Sequence, residues 1–168
     1  VKYTLDQFRS YLRGLPKKFE KAALEGLELG AARAVPVLQR AADNAPPASA
    51  NGKRGARDSG RYRGAFKWMK ITDGVVIYNG MTYAGVIEKG RRKGKKPPPT
   101  RVIALWAQRR LGLSEKQAKA AAFPIARAIG RRGLLARSVF GSSRPKIASV
   151  VRTEVQASIK RHSRMGSP

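Results

Sequence analysis

Residues 62–78 read Tyr62-Arg63-Gly64-Ala65-Phe66-Lys67-Trp68-Met69-Lys70-Ile71-Thr72-Asp73-Gly74-Val75-Val76-Ile77-Tyr78, and the Asp73-Gly74 pair inside this stretch decides the fold. Asp-Gly between two runs of aromatic and β-branched residues is a hairpin signal, because both residue types accept the positive φ that a tight turn needs. The expected strands are Tyr62–Thr72 and Val75–Tyr78. Asn79-Gly80 reads as a second turn, and Tyr83–Glu88 as a third strand. A small antiparallel sheet of about three or four strands is therefore expected.

Helical patterns flank it. Upstream, Thr4-Leu5-Asp6-Gln7 is a capping box, followed by Leu5, Phe8 and Leu12 at helical spacing. A longer helix is expected from about Pro16 to Asn44, with Phe19, Ala23, Leu27, Ala31, Val35 and Leu38 on one face and a kink at Pro36. Downstream, Thr100 is read as the cap of a helix ending at Leu111, with Val102, Ile103, Trp106 and Leu111 inward and Gly112 as its stop. Ser114-Glu115-Lys116-Gln117 is a second capping box. It opens an alanine-rich helix to about Arg132, striped by Ala118, Ala121, Ala122, Ile125 and Ile129, with a kink or break expected at Pro124 and Gly133 at the C′ position. Pro145 is expected in the first turn of a last helix that turns Ile147, Val150, Val151, Val155 and Ile159 inward. The expected fold class is α+β, with N-terminal and C-terminal helices packed on the sheet as a single domain over residues 1–168.

The 168 residues carry 36 Lys/Arg against 10 Asp/Glu, a formal charge of +26, which belongs to proteins held among anions. The charge is uneven: residues 1–50 are net +3 and residues 51–168 net +23. The first third reads as scaffold and the rest as electrostatic surface. A hydrophobic content of 42% argues against a disordered polycation. With no cysteine, disulfides, thiolate nucleophiles and the common zinc frameworks are excluded. No secretory segment and no apolar run near 18 residues stands in the sequence, so no membrane partner is expected and the chain should be made in the cytoplasm.

Reactive chemistry is sparse. The one histidine, His162, sits near a basic C-terminal stretch and reads as a surface residue. Glu25 and Glu28 read as one solvated helix face, and Asp58, Asp73 and Glu88 are the only carboxylates around the sheet. That falls short of the clustered carboxylates or histidines that a metal-dependent nuclease needs. No Walker loop follows Gly90 or Gly94. The expectation is a protein that is not an enzyme, with no catalytic, cofactor or metal residues. Trp68, Trp106, Phe66 and Tyr83 could stack on bases, but their spacing fits core faces better.

The positive signal lies in two Gly/Pro-rich loops, residues 46–60 and 89–99. Lys53, Arg54, Arg57, Arg61 and Arg63 belong to the first region, and Arg91, Arg92, Lys93, Lys95 and Lys96 to the second. These ten are the candidate contacts to nucleic acid or to a partner. Their glycine, proline and like-charge content predicts loops that are mobile in an isolated subunit.

Three passages resemble a known family. Asp58-Ser59-Gly60-Arg61-Tyr62-Arg63-Gly64-Ala65-Phe66 is similar to the turn-into-strand of the head–tail neck and tail-completion proteins of tailed phages, the minor tail components of long-tailed phages. Thr82-Tyr83-Ala84-Gly85-Val86-Ile87-Glu88-Lys89-Gly90 resembles the Y-A-x-(V/F)-(I/V)-E-x-G passage of that family. Arg127–Gly133 and Arg144-Pro145 resemble its passage before the terminal helix. The resemblance spans most of residues 40–160 and departs from the family in the longer basic loop 89–99 and the helix around Trp106. It implies a virion subunit forming a ring, commonly a hexamer, that joins or completes the tail. Connector, tail-terminator or tail-tube proteins would be its neighbours, and double-stranded DNA would pass through its lumen. Within that pattern Glu88 is expected to pair with Arg61 or Arg63.

A magnitude bears on the charge. A compact chain of this length has a radius of gyration of about 15 Å and a height of roughly 40 Å. Duplex DNA over ~40 Å presents about 24 phosphates, or about four for each of six subunits. That is far fewer than +26. Acidic neighbours or additional DNA must therefore meet the rest, which keeps open an alternative: a sequence-independent nucleic-acid-binding protein of nucleoid or ribosomal type.

Overall fold

Two long helices carry the core of the computed structural model, which describes residues 2–4, 19–49, 55–56, 60–72 and 74–164. In chain order the elements are β1 (Lys2–Thr4), α1 (Glu20–Asn44), α2 (Arg61–Gly64), β2 (Phe66–Ile71), β3 (Gly74–Asn79), α3 (Ala84–Lys89), α4 (Thr100–Leu111), α5 (Glu115–Arg132) and α6 (Val139–Arg164). The chain is thus a mixed helix-and-strand fold, with an antiparallel hairpin between helices on either side in sequence. Lys53, Arg54 and Arg57, the acids Asp58 and Asp73, and the helix expected after Thr4 lie outside the described residues.

Successive turns of α1 bury Ala23, Leu27, Ala31, Ala34, Leu38 and Ala42, close to the expected stripe. α6 answers with Val139, Ile147, Val151 and Val155, and the two helices run antiparallel. Small residues set their separation. A Cβ on Gly26 would stand 2.5 Å from Val155 Cα, and one on Gly30 2.8 Å from Val151 Cα, so the backbones meet without side chains between them. Glu154, buried at this seam, receives Arg33 Nη1 at 2.6 Å. Pro36 lies inside α1 with its ring toward solvent, and the helix continues through it.

The hairpin lies on this pair. β2 and β3 pair antiparallel with Trp68 opposite Ile77, while β1 adds three residues to the other edge of β3, with Lys2 opposite Val76. Phe66, Trp68, Val75 and Ile77 join the core. Phe66 packs edge-on against both Tyr62 and Phe140, with centroids 5.1 and 5.5 Å apart, which ties α2, β2 and α6 together.

The strand expected over Tyr83–Glu88 does not form. Residues 83–88, read as a third strand, are helix α3: Val86 and Ile87 N–H both reach the Tyr83 carbonyl, at 3.0 and 3.2 Å. Ala84 and Ile87, one turn apart, pack against the core. A six-residue apolar run has no period long enough to separate the two structures. The first strand also begins later than expected, because Arg61–Gly64 form one helical turn.

α4 and α5 form a helical hairpin with a small core of its own, built on Ile103, Ala122 and Ala126. The Ser114–Gln117 capping box forms as expected, and Gly112 ends α4 in the left-handed region. α4 itself is turned differently from the expectation. Ile103 and Ala107 face α5, whereas Val102 (58% exposed) and Leu111 (52%) point outward and Trp106 is half-buried. An alanine-rich partner allows close approach only where the facing residues are short, which selects Ala107. Pro124 stands on the exposed side of an unbroken α5.

Candidate nucleic-acid and partner interface

The basic loop is attached to the fold at several points. Arg91 and Leu134 exchange backbone hydrogen bonds of 2.8 Å in both directions, and Gly94 N–H reaches the Gly130 carbonyl at 2.9 Å. Gly90 and Gly133 permit this. Both hold positive φ (71° and 73°), and a Cβ on Gly90 would lie 2.5 Å from the Leu134 carbonyl oxygen. The segment expected to be mobile is thus hydrogen-bonded at two points, to the last turn of α5 and to Leu134 just beyond it. The arrangement also carries residues 92–96 alongside Arg131 and Arg132, which end α5 and are both exposed. These two arginines read as an ordinary helix-surface pair in sequence. The glycines at 130 and 133 were the available sign that another segment crosses there.

The sequence-predicted contacts divide into two groups. Arg92, Lys93, Lys95 and Lys96 are exposed and make no ion pair among the described residues. Arg61 is exposed on α2. Arg63 is committed to the fold, because its Nε donates to Asp43 Oδ2 at 3.1 Å and joins α2 to α1. Arg91 is half-buried and closes its own loop by donating to the Lys96 carbonyl.

Glu88 does not pair with Arg61 or Arg63. Its carboxylate accepts from Phe140 N–H at 3.0 Å and Gly141 N–H at 2.8 Å, capping α6 across the fold. The α3 end adds two carbonyls: Ile87 O accepts from Arg137 N–H at 2.9 Å and Glu88 O from Ser138 N–H at 3.2 Å. Helix N-termini leave their first N–H groups unpaired, and a carboxylate there also meets the positive end of the helix dipole. This remote cap lets α6 begin at Val139, six residues before Pro145, where the sequence placed its first turn. Behind Glu88 lies Tyr62, whose phenol is pushed well above its ordinary range, first by burial and then by the Glu88 charge. Burial lowers the Arg137 guanidinium, whose Nη1 donates to the Gly55 carbonyl.

The other acids are engaged in the same way. Glu28 meets Lys70 at 2.6 Å, Glu115 meets Lys119 at 2.6 Å, and Glu25 lies 3.4 Å from His162 Nε2. With Asp43 on Arg63, Glu154 on Arg33 and Glu88 on α6, every described acid except Glu20 has a partner within the fold. None of these partners is a cation of residues 92–96, so that surface keeps its charge.

Among the described residues, no group of three His, Asp or Glu side chains is placed to hold a metal ion. No described helix is long and apolar enough to cross a membrane. Comparison with family models, curated proteins and solved structures finds no match to this chain.

Proposed function

We propose that this chain is a non-catalytic structural subunit of a phage virion, a neck or tail-end protein that forms a ring around the DNA path. The observation that carries the reading is the distribution of charge. The acids are engaged inside the fold, while Arg92, Lys93, Lys95 and Lys96 stand unpaired among the described residues beside Arg131 and Arg132. Such a surface meets phosphates or an acidic neighbour. The passages that resemble the neck and tail-completion family support it further. Glu88 and Gly90 occupy structural positions, one capping α6 and the other allowing the crossing at Leu134.

In this reading the chain is made in the host cytoplasm and assembled into the virion. Its neighbours are copies of itself, commonly six by resemblance, and connector, tail-terminator or tail-tube proteins. Duplex DNA lies in the lumen. The excess of +26 over the phosphates of one passing duplex favours one other reading, a sequence-independent nucleic-acid-binding protein of cellular type.

The test is duplex binding as a function of salt, for the natural chain and for a variant with Arg92, Lys93, Lys95 and Lys96 changed to Gln. Affinity should fall steeply with salt and ignore sequence, and the variant should lower the slope of log K against log salt by about 3–4. A flat salt dependence, or an unchanged slope in the variant, would remove the loop from the interface.

A further inference from the structure

A second cationic feature lies away from the basic loop. The C-terminal half of α1 and the first turns of α6 leave a cleft of about 310 Å³ between them. Arg40 and Asn44 enter it from α1, Ser143 and Lys146 from α6, and Val37 and Ala41 form its apolar wall. We propose that this cleft binds a phosphate group, with the adjoining sugar of a nucleotide unit against Val37 and Ala41.

Ser143 is the informative residue. It is only 5% exposed, it lines the cleft, and its hydroxyl makes no hydrogen bond among the described residues. The oxygen is not one of the buried atoms left without a partner, so it opens to the cleft and can donate to or accept from whatever occupies it. Arg40 and Lys146 flank it, both exposed and neither in an ion pair among the described residues. The Asn44 amide donates to the Arg40 carbonyl at 3.1 Å and keeps a second N–H for a ligand.

The nearby acids do not cancel this charge. Asp43 is held by Arg63, and Glu88 accepts from the α6 N-terminus. The helix dipole is therefore already answered, and the attraction comes from the side chains. A guanidinium, an ammonium, a hydroxyl and an amide together match an oxyanion with several acceptors. The volume stands at the lower end of small-ligand sites and exceeds that of a bare phosphate, which is why the sugar is included.

The proposal rests on the nucleic-acid reading only for the source of the phosphate. The experiment titrates the full chain with inorganic phosphate, and separately with a nucleoside monophosphate, at constant ionic strength in chloride, using phosphorus NMR. One saturable equivalent is expected above the background of a basic protein. Ser143→Ala should weaken it about tenfold, the value of one hydrogen bond to a charged group. Arg40→Gln with Lys146→Gln should abolish it, while Lys116→Gln, on the far hairpin, should leave it unchanged. The cleft variants replace exposed or small side chains, and thermal melting confirms that they fold.

If the double variant also lowers the salt slope of duplex binding by about 2, the phosphate belongs to nucleic acid. If phosphate binding is lost and duplex binding is untouched, the site takes a free phosphate compound and the proposal stands. No saturable equivalent, or equal loss in Lys116→Gln, overturns the proposal, and duplex binding through residues 92–96 can then survive on its own. Displacement of phosphate by glutarate at lower concentration also overturns it, in favour of an acidic protein side chain.

Discussion

Replacing Glu88 tests whether this acid belongs to the architecture or to chemistry. Its carboxylate takes two N–H groups of α6, at 3.0 and 2.8 Å. A hydrogen bond to a charged group contributes about 1.5–3 kcal/mol net, and loss of an N-terminal cap costs about 0.5–2 kcal/mol. The Gly141 bond is exposed, so water can replace part of it. Glu88→Ala should therefore cost about 2–3 kcal/mol, and Glu88→Gln, which keeps one acceptor without the charge, about 1 kcal/mol. For a chain of this size the alanine variant should lose roughly 4–12 °C in melting temperature. Urea denaturation followed by far-ultraviolet circular dichroism measures the difference. Hydrogen exchange should show faster opening at Phe140 and Gly141, because the bonds from Arg137 and Ser138 to the α3 carbonyls survive. An alanine variant within about 0.5 kcal/mol of the natural chain would refute the capping role. Stabilisation of the natural chain, but not of the variant, by magnesium would make Glu88 a metal ligand and reopen the nuclease reading.

Other perturbations test the packing. Gly26→Ala drives a methyl group into Val155 backbone 2.5 Å away and should cost about 1–3 kcal/mol or more, whereas Gly85→Ala, which meets open space, should be neutral or stabilise by up to about 1 kcal/mol. Equal behaviour of the two in urea would mean that α1 and α6 do not meet at Gly26. Tyr62 is buried with no hydrogen-bond partner for its hydroxyl among the described residues, so Tyr62→Phe should be neutral or stabilising by about 1 kcal/mol; a loss larger than that would show a bonded hydroxyl. Trp106, read as inward from the sequence, is half-buried, so Trp106→Ala should cost nearer ~2 kcal/mol than the roughly 3–5 kcal/mol of a core tryptophan, and calorimetry of the variant decides between them.

The hairpin and the capped α5 were legible because their signals are local. The Ser114–Gln117 box works within four residues, and the β2–β3 pairing follows from the two runs of aromatic and β-branched residues, although Gly74, read as a turn residue, is already paired with Ile71. What failed depends on distant partners. The start of α6 is set by Glu88, some fifty residues earlier, and no propensity around Pro145 reveals that. The inward face of α4 depends on how closely α5 can approach, so Val102 and Leu111, inward by pattern, emerge on the surface. Tyr83–Glu88 misled because a short apolar run suits a strand or a single helical turn equally. At the candidate interface, composition singled out the exposed cations at 92–96. It could not separate them from Arg63 and Arg91, which serve the fold, nor bring Arg131 and Arg132 beside them.

The central claim is that copies of this chain close into a ring, and electron microscopy of the purified full-length protein tests it most directly. Closed rings of uniform size are expected, commonly of six subunits, with a central opening wide enough for duplex DNA and with matching masses by sedimentation. A population that remains monomeric at tens of micromolar, yet still binds duplex DNA in a salt-dependent way, would contradict the ring and leave the cellular nucleic-acid-binding reading in its place.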